Sequence, residues 1–327
     1  MAAACGRDPG PGPAKPPPDP AKVDAAVRAI EAYLAADKPS EAVFVAERLA
    51  EEAPALMRAQ EVHGRALVAL AMHPALPPDD RAAVFARAAD AYVRAAELAT
   101  GNGALQHAAA VVCDTAGRHA EAVRLYAAAH AADPASAQYA LYLGLARARD
   151  GRLEEARPLL EAAERAMPEA PDPKAALADL AIRAGDPAAA RAKIAEARAL
   201  APASVELRVA DARLRRLAGA PAESADLLMA LDPSVRAEPA CAEELAAALA
   251  ALGRAAEAAG ALEASAAASP NDWRRGLRAA SAWMRAGDPV RATIAADAAA
   301  VAGAPPERVR EALSGASVPR PAGSPSP

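Results

Sequence analysis

The sequence predicts an all-α fold, a right-handed α-solenoid of about eight helix-turn-helix repeats, on three observations. Gly117, Gly151, Gly185, Gly219, Gly253 and Gly287 follow one another at a constant step of 34 residues. Pro134, Pro168 and Pro202 keep the same step, and Pro270 lies two steps further on. The chain is 54% hydrophobic but only 3% aromatic, so alanine supplies most of the apolar count. Alanine is the strongest helix former, and its small side chain suits thin stacked helix pairs better than one large globule. Self-similarity at a period of 20–50 residues is the mark of a repeat array.

Each unit reads as two antiparallel helices, A and B. The glycine closes helix A, because a helix C-terminus commonly needs a left-handed residue that glycine tolerates best. Helix B follows at once. In Gly185-Asp186-Pro187 and Gly287-Asp288-Pro289 the aspartate caps the new helix and the proline fits its first position. Pro39 and Pro221 hold the same place in other copies. The later proline stops helix B, since the residue before a proline avoids helical geometry.

Taken in order, residues 1–22 are rich in Pro and Gly and read as a disordered leader. The units then run 23–56, 57–102, 103–136, 137–170, 171–204, 205–238, 239–272 and 273–306. The second carries an insertion near 73–80, whose prolines mark a loop. Pro158 falls inside a helix B and is expected to bend it. The sixth unit departs most. Asp211 stands where leucine is expected, and Asp232-Pro233 ends helix B early. Residues 307–313 form a short capping helix with Glu307, Arg308, Arg310 and Glu311 as its polar face, and 314–327 read as a disordered tail.

The best copy reads Ala140, Leu143, Gly144, Gly151, Ala156, Leu160, Ala163, Pro168. The next gives Leu177, Ala178, Gly185, Ala190, Ile194, Ala197, Pro202, and an earlier one Ala109, Ala110, Gly117, Ala122, Tyr126, Ala129, Pro134. This pattern resembles the tetratricopeptide repeat family, with the first and fourth aromatic marks missing from the best copy. The small residues let helices A and B approach, and Leu143 and Leu160 fill the seam. Tyr33, Trp283, Tyr92 and Tyr126 occupy late helix marks and read as core. The resemblance covers 23–306.

Chemistry is sparse. There is no phosphate-binding glycine loop, no G-x-S-x-G turn and no H-E-x-x-H helix. The five histidines, His63, His73, His107, His119 and His130, do not pair with cysteines at metal-ligand spacing. The expectation is therefore no enzyme, no metal and no cofactor. Cys113 and Cys241 read as small core residues. With 37 basic and 42 acidic residues spread along the chain, the net charge of −5 offers no basic block for nucleic acid. No 18-residue apolar run lacks charge, so no membrane span is expected.

The resemblance implies a binding scaffold for a protein or peptide, whose A helices line the concave surface. Helical phase puts Leu141, Tyr142, Leu145 and Arg149 on that face, then Asp179, Ile182 and Arg183, then Arg213 and Arg216, then Leu277, Arg278, Ser281 and Arg285. The recurring arginines suggest an acidic or carboxylate-bearing segment. The Asn and Lys set of the chaperone-gripping sub-type is absent, because the array has asparagine only at Asn102 and Asn271. Ala2-Ala3-Ala4-Cys5-Gly6 resembles the end of a bacterial lipoprotein signal, with Cys5 as the lipidation site. The expected location is cytoplasmic. A start lying upstream would make the chain a lipid-anchored periplasmic component of an envelope assembly machine. An accessory repeat subunit of an enzyme system, acting in trans, is a third reading.

Overall fold

The computed structural model describes residues 19–314, with the side chains of 78 and 79 excepted. Cys5, most of the expected leader and the tail from 315 lie outside the described residues. Every regular element described is a helix, and the fold is an all-α helical repeat of the solenoid class. The helices are α1 (Pro20–Ala35), α2 (Pro39–Glu52), α3 (Met57–Met72), α4 (Pro78–Leu98), α5 (Gly103–Thr115), α6 (His119–Ala132), α7 (Ala137–Arg149), α8 (Leu153–Ala166) and α9 (Pro171–Arg183). They continue with α10 (Pro187–Leu200), α11 (Val205–Leu217), α12 (Pro221–Met229), α13 (Pro233–Arg236), α14 (Pro239–Ala251), α15 (Ala255–Ala267), α16 (Trp273–Arg285), α17 (Pro289–Val301) and α18 (Pro306–Leu313). The chain divides into two compact units, Met1–Leu125 and Tyr126–Pro327.

The turn between paired helices repeats in detail. The six glycines of the 34-residue ladder have φ between +72° and +80°. At Gly151 the glycine amide bonds to the Ala148 carbonyl at 3.1 Å, and the Arg152 amide to the Arg147 carbonyl at 2.9 Å. These two bonds satisfy carbonyls that the end of α7 would otherwise leave bare. The same six-residue closure recurs as Asp186 to Ala181 at 2.8 Å and as Asp288 to Trp283 at 3.0 Å. In the first pair Asp37 takes the left-handed role with φ 55°, a conformation that aspartate tolerates better than most residues. Asp186 and Asp288 accept hydrogen bonds from the Ala189 and Arg291 amides at 3.0 Å each, capping α10 and α17.

In the first unit, Val27, Ile30, Ala46, Ala59, Ala66, Leu67, Ala88 and Ala109 are buried at 1% exposure or less. The expected disordered leader, read through residue 22, does not hold for residues 20–22. Asp19 accepts a hydrogen bond from the Ala21 amide and α1 begins at Pro20, because an Asp-Pro pair is itself a helix start. The insertion in the second pair splits between a loop at 73–77 and two extra turns on α4, which has 21 residues where α2 has 14.

In the second unit, Leu160, Leu180, Leu228, Leu277 and Cys241 are fully buried, and alanine fills most of the remaining core. Leu143 is likewise buried, at 2% exposure. A Cβ on Gly144 would lie 2.6 Å from Leu160 Cδ2 and 3.4 Å from the Ala156 carbonyl oxygen, so glycine sets how closely α7 and α8 approach. The α8 helix runs through Pro158 to Ala166. The sixth pair has a short helix B of nine residues, α12, followed by the one-turn α13. Helix α18 packs on α16 and α17 through buried Ala312, with Val309 and Leu313 beside it.

Candidate functional site

The A helices of the second unit are α7, α9, α11, α14 and α16, and successive ones touch at α7–α9 and α11–α14. An A helix is therefore covered twice, once by its own helix B and again by its neighbours. This corrects two expected binding residues. Leu141, 6% exposed, sits in one core cluster with Ala176, Leu177 and Leu180 of α9. Leu277, fully buried, packs among Ala280, Ala295, Ala296 and Ala299 with Leu262 beside it. Leu141 is thus covered from the adjoining repeat, whereas Leu277 packs mainly on its own helix B, α17. Ser281 is also buried, at 1% exposure.

Tyr142 is half-buried and stacks on Tyr126, with ring centroids 5.8 Å apart and planes 19° from parallel. Offset stacking at this distance is an ordinary packing contact. Leu145 and Ile182 are half-buried against core clusters. Arg149 is exposed. Asp179 and Arg183 pair with each other at 2.7 Å, one turn apart on α9.

Arg213, Arg216 and Arg278 are engaged across helices. Arg216 grips Glu244 of α14 through two bonds, Nε to Oε1 at 2.5 Å and Nη2 to Oε2 at 3.2 Å, and Arg213 Nε lies 3.5 Å from Oε2. The Glu244 side chain is 5% exposed. Its neighbour Glu243 takes Arg278 of α16. Helix α14 thus presents adjacent carboxylates to opposite sides, binding α11 with one and α16 with the other. A buried carboxylate needs such partners, because an isolated buried charge is expensive. Sequence reasoning missed Glu243 and Glu244, although a signal existed. Arg278 follows Glu243 by 35 residues, and in the first unit Arg58 pairs with Asp24 at 2.7 Å and Arg65 with Glu31 at 3.2 Å, both 34 residues apart. Opposite charges one repeat apart mark A-helix neighbours.

What remains open on this face is a cleft of about 440 Å³ between α14, α15 and α16. Ala246, Ala247, Ala250, Ala255, Ala258 and Leu262 line it, and Arg278, Glu243 and Arg285 supply its polar groups. Arg285 is exposed and has no hydrogen-bond or ion-pair partner among the described residues. Among the described residues no group of three or more His, Cys, Asp or Glu side chains is placed to hold a metal ion, and no helix is long and apolar enough to cross a membrane. Burial pushes the Cys113 thiol up to about 11 and raises that of Cys241. Neither is an activated nucleophile, since reactivity needs the thiolate.

Helix pairs of this length, closed by a left-handed glycine and packed through small residues, define the tetratricopeptide-repeat fold, and comparison with solved structures agrees. The chain superposes on a chain of the APC/C hetero-tetramer Cut9-Hcn1 with a TM-score of 0.51 and 13% identity, over 89% of this chain and 55% of that one. It therefore spans about half the length of that relative. It matches PilW, a type IV pilus biogenesis factor, with a TM-score of 0.52 and 16% identity, over 70% of this chain and 98% of PilW. A tetratricopeptide repeat protein from Parabacteroides merdae aligns with a TM-score of 0.50 and 17% identity, over 77% and 98% of the two chains. No protein-family model and no curated protein matches the sequence. The likeness is one of fold.

Proposed function

We propose that this chain is a non-catalytic scaffold that holds a segment of a partner protein in the cleft of α14, α15 and α16. The observation that carries the reading is the cleft itself. It is an alanine-lined concavity of about 440 Å³ on the A-helix face, with an exposed, unpaired guanidinium, Arg285, among its lining residues. A concave, mainly apolar surface with few polar groups suits an apolar side chain whose neighbours are fixed by charge. Arginine is a frequent anchor at interfaces, and Arg285 favours a partner segment that carries a carboxylate beside its apolar residue. The other arginines of this face support recognition only indirectly, by holding α11, α14 and α16 in register. The Cut9 relative comes from a hetero-tetramer with Hcn1, which agrees with a protein-binding role for a fold of this kind.

The test is a random-peptide display selection on the full chain, followed by affinity measurement on two variants. Ala250 is exposed in the cleft wall, so Ala250→Trp fills the cleft without entering the core. Peptides selected on the parent should lose binding to Ala250→Trp, and the acidic ones should lose it to Arg285→Glu. Unchanged binding to both variants refutes the assignment of this cleft.

A further inference from the structure

The sixth repeat breaks the pattern at Asp211, a place that the other repeats keep apolar. Asp211 occupies the position held one step either side by Leu177 and Leu245, which are 7% and 5% exposed. Arg215, one turn on, occupies the position of Ala181 and Leu249 in the two neighbouring repeats, buried to 7% or less, and of Arg147 in the fourth. The seam that packs apolar side chains in the two neighbouring repeats is charged at both places here. Packing alone does not favour this exchange, because a buried ion pair is at best equal to well-packed apolar residues of similar volume.

The exchange opens a cleft of about 330 Å³ between α10, α11 and α12, distinct from the α14–α16 cleft. Arg191, Arg198, Arg215, Asp211 and Glu223 line it together with Ile194 and Ala195. Asp211 is shared by Arg198 of α10 and by Arg215, whose Nε lies 3.0 Å away, and Arg215 reaches Glu223 at 2.8 Å. Both acids are thereby satisfied, whereas the bases are not. Arg198 Nε is shielded from solvent and finds no acceptor, and Arg191, exposed two turns earlier on the same face of α10, has no partner among the described residues. Three guanidiniums stand against two carboxylates, leaving one positive charge.

We propose that this cleft binds a single carboxylate group on a short aliphatic stem, held by Arg191 and Arg198, with Ile194 and Ala195 beneath the stem. A planar carboxylate matches the guanidinium fork and balances the one residual charge. A phosphate dianion would leave excess negative charge beside Asp211 and Glu223. The carboxylate belongs either to a free small acid or to the end of a peptide.

Saturation-transfer NMR titration of the full chain tests this with two matched pairs. The first pair is 4-methylpentanoate and its amide. The second is the acetylated tripeptide Ala-Ala-Leu with a free or an amidated terminus. The acid of at least one pair should bind and its amide should not, and the pair that binds more tightly identifies the source. Arg191→Gln should weaken the acid about tenfold, the loss of one charge-assisted hydrogen bond. Arg191 has no partner among the described residues, so this variant keeps the parent's helical spectrum and melting temperature, while Arg198→Gln is a second variant that also removes a bond to Asp211. Equal binding of acid and amide, unchanged affinity in Arg191→Gln, or inorganic phosphate binding more tightly than either acid overturns the proposal.

Discussion

Replacing a helical glycine by alanine should have opposite signs at two positions in neighbouring helices. In a helix interior, alanine is favoured over glycine by about 0.5–1 kcal/mol. Gly260 lies within α15, and a Cβ added there meets nothing within 4 Å. Gly260→Ala should therefore stabilise the chain by roughly 0.5–1 kcal/mol. Gly276 lies within α16, where a Cβ would sit 2.9 Å from Ala299 Cβ, 3.4 Å from the Ala295 carbonyl oxygen and 3.5 Å from Ala299 Cα. Carbon atoms pack best at about 3.5–4.0 Å. Ala299 is 2% exposed and has no rotamer to change, so α16 and α17 must move apart. Overpacking of this kind costs about 1–3 kcal/mol, which exceeds the helical gain. Gly276→Ala should thus lose roughly 1–2 kcal/mol net. Gly144→Ala should also destabilise, since Leu160 Cγ would lie 2.8 Å away in a fully buried site. Urea unfolding followed by circular dichroism reads all three. If Gly276→Ala raises the midpoint as Gly260→Ala does, the argument that small residues set the A–B approach is wrong.

Four further outcomes are expected. Glu244→Ala should cost about 3 kcal/mol, the low end for a broken buried pair, because Arg213 and Arg216 keep 31% and 20% of their side chains exposed. Asp24→Ala at the half-exposed Arg58 pair should cost under about 1 kcal/mol in the same urea assay. Burial holds His63 and His107 below the ordinary value of 6.5, so their contribution is present above pH 6.5 and is lost as pH falls through the lowered folded values. The urea midpoint should decline on acidification below about 6.5, and a His63→Gln, His107→Gln variant should flatten that slope. Iodoacetamide at pH 8 should leave Cys113 and Cys241 unmodified in the native chain and alkylate both in urea, as mass spectrometry of tryptic peptides will show.

The legible part of this protein is what local chemistry repeats. Gly151 announces a left-handed turn whatever surrounds it, and Asp186-Pro187 announces a helix start, since caps and prolines act within a few residues of the chain. Asp37 was illegible as a turn, because only its φ reveals that an aspartate took the place of glycine. The candidate site was less legible still. Phase alone identified which side of an A helix faces away from its own helix B, and so placed Leu141 and Leu277 on an open surface. That one-dimensional argument holds no term for the packing around the helix: α9 of the adjoining repeat joins the core of Leu141, and α17 with α18 that of Leu277.

The sequence by itself determined the class of fold, the helix-pair period and the glycine turns, because each is written in residues close together along the chain. Only the tertiary structure decided which arginines are occupied and which are open. Arg213 and Arg216 read as a ligand surface until Glu244, 28 residues beyond Arg216, is seen to fill them, and Arg191 and Arg198 gained no notice until Asp211 and Arg215 were seen to open a charged cleft beside them. A charge's availability depends on its nearest opposite charge in space. In a stacked repeat that neighbour lies on another helix, 13 residues along the chain for Arg198 and Asp211 and 28 for Arg216 and Glu244.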